Sequence, residues 1–411
     1  MPEAVTLDMY QSAGVGVAAL LAGMWLTRKI PFLKRYCIPA PVSGGLLFSL
    51  LTLLLYAAGG VACSFDGTVK DLCMMVFFTS VGYQSDMRVL RTGGRPLLVM
   101  ILLVALLIVV QNLLSIGIAR GLGMDPLFGL AAGSIPMCGG HGTAGGFAPL
   151  LEELGLQSAT SVTMAAATFG LVAGSLLGGP LAGALIRRKR LCEPGREADT
   201  VSGIEAGEAS PESRKEYLHS DEHAFRGYLF AACMLLIAMA LGSCLSRLLA
   251  LTGITFPTYF GSLLVAALLR NTLGRLPRQA AWRDAGRVRS LGDICLSLFL
   301  GMAMSSLRLW ELSSMALPLC LILLAQVAFM ALFAACVAFP LLGRDYDGAV
   351  LVAGLCGFGL GATPNAMANM SAVCYKYRYA VNPFIIVPVI GAMFVDIINT
   401  GVVTVFVNLI S

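Results

Sequence analysis

Two glycine-rich polar stretches interrupt an otherwise apolar chain, and they contain the residue types that could bind a small solute. The first reads GSIPMCGGHGT at 133–143, and the second reads AGLCGFGLGATPNAMANM at 353–370. Closely spaced glycines and a proline break a helix and leave backbone N–H and C=O groups without partners. The N–H groups attract anions, and carbonyl oxygens suit a hard cation such as Na⁺. The pattern favours a site for a small anionic solute together with Na⁺.

The candidate ligands are the glycines and the polar side chains in and beside these stretches. Glycine lets a ligand approach bare backbone, and hydroxyl and amide groups add neutral hydrogen-bonding atoms. The alternative is that the glycines only allow close helix packing in a membrane. The predicted solute-binding residues are Ser134, Gly139, Gly140, His141, Gly142, Thr143, Gly359, Gly361, Thr363, Asn365, Asn369 and Asp396, and the predicted Na⁺ ligands are Thr143, Thr363, Asn369, Asp396 and Asn399.

Two of these candidates are ionisable. His141 could contact a carboxylate, carry a proton, or fix the shape of the first stretch through a hydrogen bond. Asp396 lies inside the last apolar run, where a carboxylate is costly and is by default a functional hypothesis. It could bind a substrate ammonium or Na⁺, or it could be a structural partner for the neighbouring stretch.

The composition identifies an integral membrane protein. The 411 residues are 57% hydrophobic and 12% charged, about half the charged fraction of a soluble domain. We interpret the chain as all-α, with ten transmembrane helices near 7–27, 38–60, 71–87, 96–119, 160–186, 226–249, 254–270, 290–307, 315–340 and 383–409. The polar stretches, at about 125–150 and 345–371, are predicted to be re-entrant hairpins that return to the side they entered from.

The basic residues support this arrangement. With ten spans and two hairpins, five segments that hold 24 of the 28 Lys and Arg residues fall on one face of the membrane, the basic face. The positive-inside rule makes that face cytoplasmic and puts both termini outside. The five segments are 28–35, 88–95, 187–226, 270–289 and 344–378.

The two halves of the chain repeat. Because each half has five spans, an odd number, the halves run through the membrane in opposite directions, as inverted-topology repeats do. The first repeat covers 1–189, the second covers 224–411, and a polar cytoplasmic linker covers 190–223. Asp125, Gly139, Thr143 and Ala148 recur 220 residues on as Asp345, Gly359, Thr363 and Ala368, and Asp71, Cys73, Phe77, Leu90 and Pro96 recur 222 residues on as Asp293, Cys295, Phe299, Leu312 and Pro318.

Other polar residues in the spans have simpler interpretations. Asp71 and Asp293, at predicted span starts, favour helix capping or an interaction with the helix dipole. Gln111, Asn112 and Gln326 favour hydrogen bonds between helices. The sequence contains no GxSxG, HExxH or P-loop motif. We therefore predict no enzyme, and because the basic residues lie in loops on one face, we predict no nucleic-acid-binding protein.

Four motifs resemble the bacterial glutamate:sodium symporters: IPFLKRY at 30–36, GGHGT at 139–143, GFGLGATP at 357–364 and ANM at 368–370. The likeness runs nearly end to end and includes DPLFGLAAGS at 125–134 and PVIGAMFVDIIN at 388–399. It implies Na⁺-coupled symport of L-glutamate across the inner membrane, with Na⁺ as coupling ion and no other cofactor. It also implies a homodimer and an elevator-type motion.

We predict a division of labour between the spans. Spans 3–5 and 8–10 with both hairpins would form a moving substrate domain, and spans 1, 2, 6 and 7 would form the scaffold and dimer contact. The sequence departs from the family pattern beside GGHGT, with Pro136, Met137 and Cys138 before it and Gly145, Gly146 and Phe147 after it. Another small carboxylate or amino acid therefore stays open as the cargo. A channel is the alternative of a different class.

Overall fold

The computed structural model describes residues 3–36, 38–59, 61–85, 94–191, 217–253, 255–273, 285–310 and 315–410, and nearly all of them are helical. Within these ranges, seven helices are long and apolar enough to cross a membrane. The prediction of an integral membrane protein built from helices is therefore confirmed. Most of the predicted linker 190–223 lies outside the described residues, and its last part, from Tyr217, begins a helix.

The helices follow the apolar runs closely. The first half contains α1 (Met9–Lys29), α2 (Pro31–Arg35), α3 (Ala40–Gly59), α4 (Thr68–Gln84), α5 (Gly94–Gly121), α6 (Pro126–Ala131), α7 (Ser134–Met137), α8 (Gly140–Glu153) and α9 (Ala159–Lys189). The second half contains α10 (Tyr217–Ala250), α11 (Phe260–Leu273), α12 (Ala285–Ser305), α13 (Ala316–Phe333), α14 (Phe339–Leu341), α15 (Tyr346–Gly359), α16 (Thr363–Lys376), α17 (Val381–Val389) and α18 (Val395–Ile410).

Three of the ten predicted spans, the seventh, ninth and tenth, are shorter than predicted or interrupted, while the third, α4, keeps its predicted length of 17 residues and begins three residues earlier. The seventh is α11, with 14 residues. Helix α11 begins six residues later than predicted because the preceding segment contains Pro257, which disfavours helical backbone in the residue before it. The tenth is divided by a π-helical turn at Ile390–Phe394, just after Pro388. A similar turn at Ala334–Ala338 follows α13.

A two-stranded parallel sheet was not predicted. Strand β1 (Glu3–Leu7) pairs with β2 (Val61–Phe65), with Glu3 opposite Val61 and Leu7 opposite Phe65. Each strand directly adjoins an apolar helix, so its hydrophobic residues look like an extension of a span. The sheet ties the start of the chain to the connection between α3 and α4.

The structure divides into two groups of helices. The first, the six-helix body, contains α1, α3, α4, α10, α11 and α12 together with the sheet; the second, the hairpin body, contains α5–α9 and α13–α18. Glycines allow close approach within the six-helix body: Gly44 of α3 lies against the backbone of Ala19 in α1, and Gly82 of α4 lies against that of Leu263 in α11.

This division corrects the predicted division of labour. The third and eighth spans, α4 and α12, were assigned to the moving domain, but they pack mainly against each other and against α1, α3 and α11. The thiols of Cys73 in α4 and Cys295 in α12 lie close enough to interact. Sequence adjacency could not reveal this, because the order of helices along the chain does not determine which of their faces pack together.

Polar residues at the helix starts explain several boundaries. Asp125 and Asp345 cap α6 and α15, because their carboxylates accept hydrogen bonds from the N–H groups of Leu127 and Gly348. Asp71 lies in the first turn of α4 without capping it, a position that suits the helix dipole. The prediction that Asp293 caps a helix or interacts with the helix dipole is wrong, because α12 begins at Ala285 and Asp293 lies in its third turn.

Candidate functional site

Both polar stretches form helices with a break between them. In the first, α6, α7 and α8 are separated at 132–133 and 138–139, and Gly140 has a φ of 62°, a backbone conformation that favours glycine. In the second, α15 ends at Gly359 and α16 begins at Thr363, with Pro364 in its first turn. Proline is tolerated there because its missing N–H would have no helical partner.

The two breaks meet in the interior of the protein. A Cβ atom built on Gly140 would lie 3.0 Å from the carbonyl oxygen of Gly361. One built on Gly139 would lie 2.6 Å from Nδ2 of Asn399 and against the side chain of Thr143. Any side chain at these glycines would therefore separate the tips or displace α18.

A cavity of about 350 Å³ opens beside the meeting point, a volume in the usual range for a small-molecule site. The first turns of α8 and α16 both face into it, so the positive ends of two helix dipoles converge on one space. This geometry suits an anionic ligand. Predicted site residues that line the cavity are Gly139, Gly140, His141, Gly142, Gly361, Thr363, Asn365 and Asp396.

Asp396 contributes a carboxylate to the cavity wall from the first turn of α18. Its Oδ1 atom accepts a hydrogen bond from Oγ1 of Thr143 in α8, at 3.4 Å. A carboxylate in a membrane protein usually faces a water-filled cavity or a partner, and Asp396 has both. It can balance the charge of an ammonium group or of Na⁺.

Asn399 and Ser134 lie behind the cavity, not on its wall. The Ser134 hydroxyl donates to Oδ1 of Asn399 at 2.7 Å, and Nδ2 of Asn399 donates to the Ser134 carbonyl at 3.1 Å. The Ser134 N–H donates to Oδ1 of Asn112 at 2.9 Å. These bonds hold the short helix α7 between α5 and α18, and they meet the expectation that Asn112 bonds between helices.

His141 is 5% exposed and lies on the cavity wall. Its Nε2 atom lies 3.0 Å from Oγ1 of Thr168 in α9, and the Thr168 hydroxyl in turn donates to the Met164 carbonyl at 2.9 Å. The threonine hydrogen is thus committed to the backbone, so its oxygen accepts from the imidazole Nε2–H. The interaction fixes the ring, as expected of a structural histidine, and it leaves the ring on the cavity wall, where it can also contact a solute.

Amide side chains attach the second hairpin to its neighbours. Asn365 donates to the Leu171 carbonyl at 2.7 Å and Asn369 donates to the Gly174 carbonyl at 2.9 Å, both in α9. Gln111 donates to the Gly359 carbonyl at 2.8 Å, and Gln326 donates to the Gln111 carbonyl at 2.8 Å. The expectation of interhelical bonds for the two glutamines is confirmed.

The structure thus gathers part of the predicted set. Ser134, Thr143, Gly359 and Asn369 lie outside the cavity lining. The predicted Na⁺ ligands are also divided: Thr143 contacts Asp396, Asn399 bonds to Ser134, and Asn369 bonds to α9. Thr363 lies against Gly391 in the π-helical turn. The described residues contain no cluster of three His, Cys, Asp or Glu side chains that could hold a metal ion.

Seven residues of the six-helix body line the cavity, three from α4 and four from α12, and the sequence analysis predicted none of them as site residues. Phe77 and Gln84 of α4, and Arg289 and Asp293 of α12, belong to helices that the sequence analysis treated as ordinary spans. The sequence did offer a signal for α12: Arg289 and Asp293 are an oppositely charged pair four residues apart, and Leu296 and Leu300 follow on the same helical face.

Known proteins are similar to this chain over nearly its whole length. The family model for the sodium/glutamate symporter matches residues 5–379. The sodium/glutamate symporter of Escherichia coli (strain K12) is 39% identical over 404 residues, 98% of each chain, and that of Haemophilus influenzae (strain Rd) is 37% identical over 401 residues, 97% of each chain. The same protein of Shigella flexneri is 39% identical over 404 residues. The matches cover both hairpins, and this chain belongs to the sodium/glutamate symporter family.

Proposed function

We propose that this chain is a secondary transporter that moves L-glutamate together with Na⁺ into the cell across the bacterial inner membrane. The observation that carries the proposal is the convergence of two helix N-termini, from α8 and α16, on one cavity that also contains a carboxylate. The names of the relatives, at 37–39% identity over nearly their whole length, support the pair of solutes.

The chemistry of the cavity matches that of an acidic amino acid. The N–H groups at the starts of α8 and α16 would hold the carboxylates, with glycines that allow close approach. Asp396 would neutralise the ammonium group. The Thr143 hydroxyl and carbonyl oxygens beside Asp396 would hold Na⁺, a cation that prefers oxygen ligands. If more Na⁺ charge than substrate charge is moved, the membrane potential drives uptake, by about 2.3 kcal/mol per net charge per 100 mV.

The architecture behind this site would be a pair of inverted repeats of five spans each. Two observations support it. Cys73 and Cys295, at equivalent repeat positions, are in contact, as expected where a pseudo-two-fold axis passes between them. Asp125 and Asp345, also equivalent, each cap the first helix of a hairpin.

Alternating access would arise from movement of the hairpin body against the six-helix body, an elevator-type motion, because the cavity lies between the two. The six-helix body would be the scaffold and the contact of a homodimer in the lipid bilayer. The distribution of basic residues supports external termini and a cytoplasmic basic face.

The proposal is tested with purified protein in proteoliposomes. We expect accumulation of labelled L-glutamate when an inward Na⁺ gradient is imposed, and little uptake when choline replaces Na⁺. Equal uptake in choline would exclude Na⁺ coupling. Competition by other amino acids and dicarboxylates measures selectivity, and saturable counterflow separates a transporter from a channel.

A further inference from the structure

A charged pair lies along the cavity on the face of α12 that points into it. Nε of Arg289 is 3.8 Å from Oδ2 of Asp293, and both side chains are 63% exposed. Leu296 and Leu300, one and two turns further on, line the same cavity. The cavity therefore follows α12 from Arg289 to Leu300, about 16 Å at the helical rise per residue.

The charged pair is separate from the hairpin tips. A Cβ atom on Gly142, in the first tip, would lie 3.8 Å from Cδ1 of Leu296, so the tip is level with that leucine. Arg289 precedes Leu296 by seven residues, about 10 Å along the helix axis. A solute held at the tips is thus about two helical turns away from Arg289.

The charged pair marks the mouth of the cavity. Gln84, the last residue of α4, and Pro39, just before α3, line the same end. Pro39 and Gln84 lie near the basic segments 28–35 and 88–95, and Arg289 ends the basic segment 270–289. The cavity therefore opens toward the basic face of the protein, the face from which a substrate taken into the cell must leave.

Stability does not explain why these charges are there. An exposed i, i+4 ion pair contributes little to folding. A basic residue at this end of the helix fits the positive-inside rule, but among the described residues of the segment 270–289 only Arg289 lines the cavity. Among the described residues that line the cavity, Arg289 is the only Lys or Arg. Its guanidinium can hold a carboxylate through two parallel hydrogen bonds, and the neighbouring carboxylate of Asp293 can receive an ammonium group.

We propose that Arg289 and Asp293 form a second, transient binding site for the amino acid at the basic-face mouth of the cavity. The guanidinium binds a substrate carboxylate and Asp293 binds the α-ammonium, so the pair opens to receive a zwitterion and closes when it leaves. The site rests on the proposed transport function. It would raise the local substrate concentration at this face and speed exchange between the hairpin tips and the aqueous phase.

The test compares transport from the two faces in vesicles of known orientation. We expect Arg289→Gln to raise the L-glutamate concentration for half-maximal transport from the basic face by about tenfold, while that from the opposite face changes less than twofold. Arg289→Lys should retain most of the basic-face affinity, because it keeps the charge. The final Na⁺-driven accumulation ratio should not change, since the gradient sets it.

The control is Arg188→Gln, which removes an exposed charge of the same face at the end of α9, outside the cavity lining. A shift in Arg289→Gln that is equal from both faces would overturn the site and indicate a general structural effect. No shift relative to Arg188→Gln would overturn it as well. Absence of Na⁺-dependent uptake in the unaltered protein would instead reject the proposed function.

Discussion

At the scale of single residues, the structure separates groups that face the cavity from groups that support them. Asp396 and the glycines of both tips face the cavity, whereas Ser134 and Asn399 are hydrogen-bonded to each other. Residue type alone could not separate the two roles, because serine and asparagine serve equally well as ligands and as interhelical partners. The separation depends on which face of α7 and α18 each side chain occupies.

We expect Asp396→Asn to lower Na⁺-driven uptake of L-glutamate by at least about tenfold. Asparagine keeps the size of the side chain and can accept the bond from Thr143, but it lacks the charge that an ammonium or Na⁺ requires. A hydrogen bond to a charged group contributes about 1.5–3 kcal/mol, and 1.4 kcal/mol corresponds to a tenfold change. Initial uptake rates in proteoliposomes provide the measurement.

The matched control for Asp396→Asn is Asp71→Asn, a substitution of the same chemistry in the first turn of α4, outside the cavity lining. Its uptake rate should stay within about twofold of that of the unaltered protein. A charge near a helix terminus contributes about 0.3–1 kcal/mol to stability, and this position does not contact the cavity. Normal uptake by Asp396→Asn would show that this carboxylate binds neither cation.

At the scale of elements, the two interrupted hairpins were predictable because glycine and proline cannot continue a helix cheaply. The division of the first hairpin into three helices was not, since Gly133 and Gly139 alone do not fix where each turn ends. The start of α12 was also missed. The basic segment 270–289 was interpreted as a loop, but helix begins at Ala285 and thereby brings Arg289 onto a cavity-facing helix.

Gly140 provides the test of tip geometry. We expect Gly140→Ala to lower uptake by at least about tenfold, because left-handed backbone costs a residue with a side chain about 1–2 kcal/mol and the added methyl would lie 3.0 Å from the Gly361 carbonyl. Uptake rate and thermal unfolding are measured together. A fully active Gly140→Ala protein would exclude close contact of the tips during transport.

Gly179→Ala in α9 is the control for this change. That position is helical and has open space where the methyl group would go. Alanine is favoured over glycine in a helix by about 1 kcal/mol, so stability should rise slightly and uptake should not change.

At the scale of the whole molecule, the two bodies are joined on the face opposite the cavity mouth. Asn408, near the end of α18, accepts a hydrogen bond from the Thr255 N–H at 2.8 Å and donates to the Thr255 carbonyl at 3.0 Å. Thr255 precedes α11 in the six-helix body. This pair connects the two bodies at the end opposite the cavity mouth, so the proposed relative motion would have to break it.

We expect a Thr255→Cys, Asn408→Cys double variant, in a background without other cysteines, to lose transport when a short bifunctional thiol reagent is added. The cross-link would hold the two bodies in the conformation seen here and prevent the opposite side from opening. Uptake before and after treatment, with the modified fraction measured by mass spectrometry, provides the measurement.

The control retains only the native Cys73 and Cys295, which are in contact within the six-helix body. Linking these thiols joins two helices of one body, so transport should continue. If the Thr255–Asn408 cross-link also leaves transport intact, the proposed relative motion is wrong. The paired comparison separates a restriction of motion from general damage by the reagent.

The sheet formed by β1 and β2 has a consequence for how such motion could be followed. It fixes the beginning of the chain to the six-helix body, whereas the chain finishes in α18 of the hairpin body. Val5 and Leu409 are both exposed, at 46% and 76%. A spectroscopic label at each would be attached to a different body, so the distance between the two labels would measure the relative motion that we propose.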